Sequence, residues 1–97
     1  MAAYIFADIE VTDPKGFEEY RQKVPAVIAA HGGRYLVRGS ACDIVEGDWR
    51  PRRCVILEFP DMAKARAFIA APDYAPLAAL RQRTTNSRLV LIEGYAP

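Results

Sequence analysis

Residues 3–14 read AYIFADIEVTDP, and this stretch predicts both the first strand and the start of the first helix. From residue 3 to residue 11, apolar side chains alternate with a mixed aromatic and acidic set, and a period of two indicates a β-strand. One face carries Ile5, Ala7, Ile9 and Val11, and the other carries Tyr4, Phe6, Asp8 and Glu10. Asp13 can then cap a helix, and Pro14 suits the first helical position.

An apolar stripe downstream of Pro14 predicts the first helix. Its members recur at spacings of three and four residues, and they are Phe17, Tyr20, Val24, Val27, Ile28 and His31. Pro25 lies inside this helix, where it removes one backbone hydrogen bond and frees the carbonyl of Arg21. Gly32 and Gly33 predict the end of the helix in a left-handed cap.

The remaining elements follow from shorter signals. Strands over residues 34–46 and 52–59 are predicted to form an antiparallel hairpin, and Gly39 indicates a bulge or a close backbone approach. Pro60-Asp61 opens a second helix, and Pro72-Asp73 breaks it and caps a short third helix. The inward residues of these two helices are predicted to be Ala65, Phe68 and Ile69, then Tyr74, Leu77 and Leu80. Residues 85–87 are interpreted as a turn before a last strand over residues 89–92.

The element order β-α-β-β-α-β predicts an α+β, ferredoxin-like fold with a four-stranded antiparallel sheet, as one domain over residues 1–97. Hydrophobic residues make up 52% of this short chain, which is high for a domain that can bury only a modest core. The strands also carry apolar residues on both faces. A homodimer with two sheets packed face to face is therefore predicted, and a monomer is the alternative.

Charge and composition disfavour several classes of function. The formal net charge is +1, and the one basic cluster, Arg50, Arg52 and Arg53, is interrupted by Pro51, which favours a solvated hairpin tip over nucleic-acid binding. No signal peptide or membrane-spanning stretch is recognised, so a cytoplasmic location without membrane contact is expected. Cys42 and Cys54 are interpreted as reduced, mostly structural thiols. Two cysteines and one histidine without CxxC or HxxxH spacing predict no dedicated metal site.

The sequence resembles the DUF1330 family, a domain of unknown function within the dimeric α/β-barrel superfamily. The matching stretches are YIFADIEVTDP (4–14), HGGRYLVRG (31–39), EGDWRPRR (46–53), LEFPD (57–61) and APDYAPLAALRQ (71–82). Ser40 stands where that family usually has a second glycine. The resemblance implies a dimer whose sheets form a barrel, with ligands between each sheet and its helices. That superfamily holds cofactor-free oxygenases, isomerases, dehydratases, haem-handling enzymes and ligand sensors, so the fold fixes no chemistry.

Four residues are candidates for catalysis. His31 is a possible general acid or base, because histidine is the residue type suited to proton transfer near neutral pH. It is predicted to face inward at the end of the first helix, with a capping histidine as the alternative. Asp8 and Glu58 lie within strands, where a carboxylate is costly unless paired or wet. Arg38 could stabilise developing negative charge, or it could pair with Glu58 and hold the sheet or the dimer.

Five further residues are candidates for ligand binding. Tyr20, Tyr35 and Tyr74 could orient a ligand through their hydroxyl groups, although such tyrosines are more often core residues with a polar tip. Trp49 could cover a pocket or pack on the dimer mate. Arg81 could bind an anionic ligand or lie on the surface.

No nucleophile elbow, phosphate loop, dinucleotide fingerprint or haem motif is recognised, so no cofactor is predicted. The first hypothesis is a cofactor-independent enzyme that acts on a small metabolite by acid/base chemistry in a cleft between the sheet and the first helix. The second is a non-catalytic small-molecule-binding module, and the third is a dimeric interaction module with a filled interior.

Overall fold

The structure is a computed structural model that describes residues 1–96 as one sheet with three helices. The elements are β1 (Ala3–Val11), α1 (Pro14–Ala30), β2 (Arg34–Ser40), β3 (Cys54–Phe59), α2 (Met62–Ala70), α3 (Ala75–Thr84) and β4 (Thr85–Glu93). The strands form an antiparallel sheet in the order β2-β3-β1-β4. This is the ferredoxin-like α+β fold that the element order predicts. None of the three helices is long and apolar enough to cross a lipid bilayer.

The helices cover one face of the sheet, here called the inner face. It is built on Ile5, Ala7 and Ile9 of β1, which are all buried, as the alternation predicts. The core residues that pack there from the helices include Phe17, Val24, Ile28, Ala65, Phe68 and Leu77. Because Ile69 points away from this core and is 38% exposed, its predicted inward orientation is wrong.

Helix α1 begins and ends as its sequence predicts. The backbone N–H of Gly16 donates to Asp13 Oδ1 at 3.1 Å, which caps the first turn after Pro14. At the other end, Gly32 adopts a φ of 84°, and the Gly33 N–H donates to the Ile28 carbonyl at 2.9 Å. These contacts fix the direction in which the chain leaves α1 for β2.

Four predicted boundaries differ from the structure. Strand β2 ends at Ser40 rather than at residue 46, because the backbone turns at Gly39 (φ 77°) and the pairing with β3 shifts there. Residues 41–53 contain no helix or strand, so β3 starts at Cys54. Helix α3 follows Tyr74, and no side chain caps it. Residues 85–87 are not a turn but the start of β4, where they pair with β1.

The opposite, outer face of the sheet is only partly covered by residues 1–96. Leu36, Val90 and Ile92 lie there with 45%, 51% and 48% of their surface exposed. Phe6 and Ile56, which face each other across β1 and β3, are half-buried beside them. The apolar second face that the sequence predicts is therefore present, and residues 1–96 do not bury it.

Candidate functional site

A cavity of about 140 Å³ lies between the inner face of the sheet and helices α1 and α3. Its walls are mainly apolar and include Ile5, Ala7, Val24, Leu57, Phe68 and Leu89. An apolar cavity of about 150 Å³ admits a benzene molecule, so the space suits a group the size of one ring. The structure thus places a hollow where the sequence predicts a cleft, between the sheet and the first helix.

A buried arginine on α3 gives the cavity its polar side. Arg81 is only 8% exposed; its Nε donates to the Tyr74 hydroxyl at 3.4 Å, and its Nη1 donates to Ser87 Oγ. The hydroxyls of Tyr74 and Tyr20 lie 3.1 Å apart. The Thr85 hydroxyl donates to the backbone carbonyl of Arg81 at 2.7 Å, which ties the end of α3 to β4. The guanidinium is therefore held by neutral hydroxyl groups.

No carboxylate neutralises Arg81 within the described residues. The ion pairs of residues 1–96 are Arg21–Glu18, Lys23–Glu19, His31–Asp73 and Arg34–Glu58. Among those residues no aspartate or glutamate lines the cavity, whereas Arg21, Arg38, Arg53 and Arg81 do. A buried charge is costly unless it is paired, so this electropositive cavity favours an anionic occupant.

Two tyrosines of the cavity, Tyr20 and Tyr35, have a raised pKa and remain protonated at neutral pH. Burial raises the pKa of Tyr20, and the adjacent Tyr74 hydroxyl raises it further. Burial also raises the pKa of Tyr35, against the opposing effect of the Arg38 charge. Neutral phenols can donate hydrogen bonds, so these two side chains suit an oxygen acceptor rather than proton abstraction.

Two irregularities in β2 direct Arg38 toward the cavity. Residues three apart on a regular strand point to opposite faces, but the pairing shifts between Tyr35 and Val37. Tyr35 and Arg38 therefore share the inner face, and the Arg38 guanidinium lies 4.8 Å from the centroid of the Tyr35 ring. Arg38 Nη2 also donates to the Arg21 carbonyl at 3.3 Å, the acceptor that Pro25 leaves free in α1.

The His31 side chain is mostly buried, as its position in the stripe predicts, but it lies outside the cavity. It is the residue at which α1 ends, and its backbone N–H donates to carbonyls of the last turn, as in the capping alternative. Its Nε2 lies 3.0 Å from Asp73 Oδ1, and its ring meets the edge of Phe68 at 5.8 Å between centroids. The imidazole therefore links the end of α1 to the segment between α2 and α3.

Asp8 and Glu58 also lie away from the cavity. Each alternates with the buried residues of its strand, so its side chain points to the outer face. Glu58 pairs with Arg34 at 2.7 Å, so the alternative of an arginine–carboxylate pair holds for Glu58, with Arg34 rather than Arg38 as the partner. Asp8 accepts from Trp49 Nε1 at 3.2 Å and from the Arg52 N–H at 3.0 Å.

Trp49 accordingly packs on the outer face, edge-on to Phe6 at 5.9 Å between ring centroids, and it does not cover the cavity.

The structure thus brings together five of the predicted site residues, Arg38, Tyr20, Tyr35, Tyr74 and Arg81, and separates His31, Asp8, Glu58 and Trp49 from them. The sequence predictions missed Arg53 and Ser87. Arg81 has a detectable signal, because it lies four residues after the buried Leu77 and so shares the apolar stripe of α3. Within residues 1–96, no group of three or more His, Cys, Asp or Glu side chains is placed to hold a metal ion.

Comparison with protein families gives one match over nearly the whole chain. The family model described as a domain of unknown function (DUF1330) matches residues 2–95. No curated protein matches the sequence.

Solved structures with a similar fold come from several bacteria. RPA0582, a protein of unknown function from Rhodopseudomonas palustris, is 18% identical, with a TM-score of 0.78 over 99% of this chain and 84% of that one. SnoaB, a cofactor-independent oxygenase from Streptomyces nogalater, is 17% identical, with a TM-score of 0.62 over 99% and 94%. A dimeric ferredoxin-like protein of unknown function from Jannaschia sp. CCS1 is 12% identical, with a TM-score of 0.66 over 97% and 100%. At these identities the likeness shows the fold alone.

Proposed function

The chain belongs to the DUF1330 family of domains of unknown function, and we propose that it binds a small organic anion with about one ring in the cavity beside Arg81. The observation that carries this proposal is the buried guanidinium of Arg81, which faces an apolar cavity without a carboxylate partner in residues 1–96. A ligand carboxylate or phenolate would supply the missing negative charge.

The size and walls of the cavity support a compact, flat ligand. A volume of about 140 Å³ suits one ring and a small substituent, and it is too small for a nucleotide or a haem. The rings of Phe68 and Tyr74, whose centroids are 4.3 Å apart, give the cavity an aromatic wall. Aromatic side chains favour flat apolar partners through stacked or edge contacts.

The polar groups support an anionic oxygen as the feature that is recognised. Guanidinium groups form short, charge-assisted hydrogen bonds with carboxylates and related oxyanions. The hydroxyls of Tyr20 and Tyr74 lie next to Arg81 and can donate to the same oxygen. The arginines at the β2 side of the cavity, Arg38 and Arg53, add positive charge that would attract an anion.

Cofactor-independent turnover is the second candidate. A guanidinium and protonated phenols that converge on one point can stabilise an oxyanion that develops during a reaction. The cavity of the described chain contains no imidazole or carboxylate to remove a proton, so binding is the better-supported function. The likeness of fold to the oxygenase SnoaB is a reason to test substrate loss under air and under nitrogen.

A homodimer is the assembly we propose. The exposed Leu36, Val90 and Ile92 form an apolar patch on the outer face, and a second copy of the same sheet would cover it. The likeness of fold to a dimeric ferredoxin-like protein supports this assembly. The cavity opens on the other face of the sheet, and its presence disfavours a module that serves interaction alone.

Binding is tested with one-ring carboxylates, benzoate first, each matched with its neutral amide. Burial of one ring and one charge-assisted hydrogen bond to Arg81 should together give benzoate a Kd of about 0.1–1 mM. Benzoate should bind at least about tenfold more tightly than benzamide, because only benzoate supplies a charge to Arg81. NMR shifts should be confined to residues around the cavity. A panel in which no acid binds more tightly than its amide would refute the proposal.

A further inference from the structure

Two cysteine sulfur atoms lie unusually close together outside the cavity. Cys42 Sγ and Cys54 Sγ are 2.7 Å apart, closer than non-bonded sulfur atoms normally approach but longer than the 2.03–2.05 Å of a disulfide bond. Both are free thiols. Cys42 is exposed just after β2, whereas Cys54 is buried at the first position of β3, where it pairs with Ser40.

We propose that Cys42 and Cys54 are a modification site, at which a small-molecule disulfide such as oxidised glutathione forms a reversible intramolecular disulfide. The backbone pairing of Ser40 with Cys54 places the two side chains within reach without a rearrangement of the strands. This proposal is independent of the ligand cavity, because Cys54 pairs with Asp8 and so lies on the outer face of the sheet, opposite the cavity.

The order of the two steps follows from exposure. The thiolate of exposed Cys42 attacks one sulfur of oxidised glutathione, which forms a mixed disulfide and releases one glutathione thiolate. Cys54 then loses its proton and attacks Cys42 Sγ, which closes the protein disulfide and releases the second glutathione. The two protein thiols lose two electrons and two protons, and these appear in two molecules of reduced glutathione.

Closure would tie down residues 41–53. This segment contains no helix or strand, and Asp8 holds it through the Trp49 indole and the Arg52 N–H. A covalent link across 42–54 reduces the freedom of the unfolded chain, which for a loop of this length favours folding by about a hundredfold. The oxidised protein should therefore unfold roughly 10–20 °C higher than the reduced protein.

Intact-mass spectrometry of the native protein in oxidised glutathione tests the inference. The chain should lose two hydrogens, run as a single chain on a non-reducing gel, and return to its original mass with excess dithiothreitol. The single variants are the matched controls. Cys54→Ser should accumulate one glutathione on Cys42, because no second thiol displaces it, and Cys42→Ser should stay unmodified, because Cys54 is buried.

Peptide mapping of the wild-type protein at early times gives the same information without substitutions, since the transient adduct should be found on Cys42 alone. The proposal is overturned if the wild type accumulates a stable adduct, if Cys54 reacts first, or if only covalent dimers form. It is also overturned if closure lowers the unfolding temperature, because the native geometry would then oppose the bond.

Discussion

Substitution of Arg81 by methionine removes the buried positive charge and keeps a flexible side chain of similar length. If Arg81 serves a ligand, this change should abolish the preference for benzoate over benzamide. A charge-assisted hydrogen bond contributes about 1.5–3 kcal/mol, so benzoate should bind roughly 10- to 150-fold more weakly to R81M. Benzamide, which makes no charged contact, should bind with little change.

The same substitution should hardly affect stability. It removes contacts from Arg81 to two neutral hydroxyls, those of Tyr74 and Ser87, each of which contributes about 1–3 kcal/mol. It also removes the desolvation penalty of an unpaired guanidinium, which amounts to several kcal/mol. Because no carboxylate of residues 1–96 lies within 4.0 Å of Arg81, no opposite charge is left uncompensated. The free energy of unfolding should therefore stay within about 1 kcal/mol of the wild-type value or rise.

Urea denaturation and benzoate titration on the same preparations measure both quantities. Arg83→Met is the matched control, because Arg83 lies on the same helix, carries the same charge and is exposed away from the cavity. It should change neither measurement. If R81M loses more than about 3 kcal/mol of stability, Arg81 is a structural support; if R81M binds benzoate as tightly as the wild type does, the anion site lies elsewhere.

Three further outcomes are expected. In urea denaturation, Tyr74→Phe should lower the free energy of unfolding by about 1–3 kcal/mol, and Tyr20→Phe should lower it by less. The reason is that the Tyr74 hydroxyl contacts both Arg81 and the Tyr20 hydroxyl, whereas the Tyr20 hydroxyl contacts only Tyr74. Equal losses would contradict this ranking. Ile92→Asp should convert dimers into folded monomers in sedimentation velocity, whereas Ile69→Asp, on the helical side, should leave the dimer intact. Because burial raises the pKa of Tyr20, the unfolded chain releases that proton first as the pH rises; stability should therefore fall above pH 10, the ordinary tyrosine value, and Tyr20→Phe should reduce this fall.

The first half of the fold is predictable because its signals are local. Alternation sets β1, and Asp13 with Pro14 sets the start of α1. The prediction that Pro25 frees the carbonyl of Arg21 is also confirmed, although the sequence does not identify the donor that takes it. That donor is Arg38, and its position depends on pairing between β2 and β3, which are joined by an irregular segment.

It is harder to predict whether each site residue lies on the inner or the outer face, because this depends on the exact register of each strand. Asp8 and Glu58 stand out in the sequence as charges among apolar neighbours, but each occupies an outer-face position where a partner or solvent is available. Arg38 violates the simple alternation, since the bulge after Tyr35 returns it to the inner face. Simple alternation along β2 therefore predicts Tyr35 and Arg38 on opposite faces of the sheet, whereas the structure places them on the same face.

The misassigned turn at residues 85–87 explains why the anion site was hard to predict. Polar residues in a row favour a turn, and this local signal was overruled by pairing with β1. The same hydroxyl groups hold the arginine of the cavity: Thr85 donates to the Arg81 carbonyl, and Ser87 accepts from its guanidinium. A carboxylate in their place would neutralise Arg81 and leave an anion little to bind. The hydroxyl residues that mislead the secondary-structure prediction thus hold Arg81 in a buried position and leave its charge available to an anion. Local sequence rules are expected to fail at such functional positions.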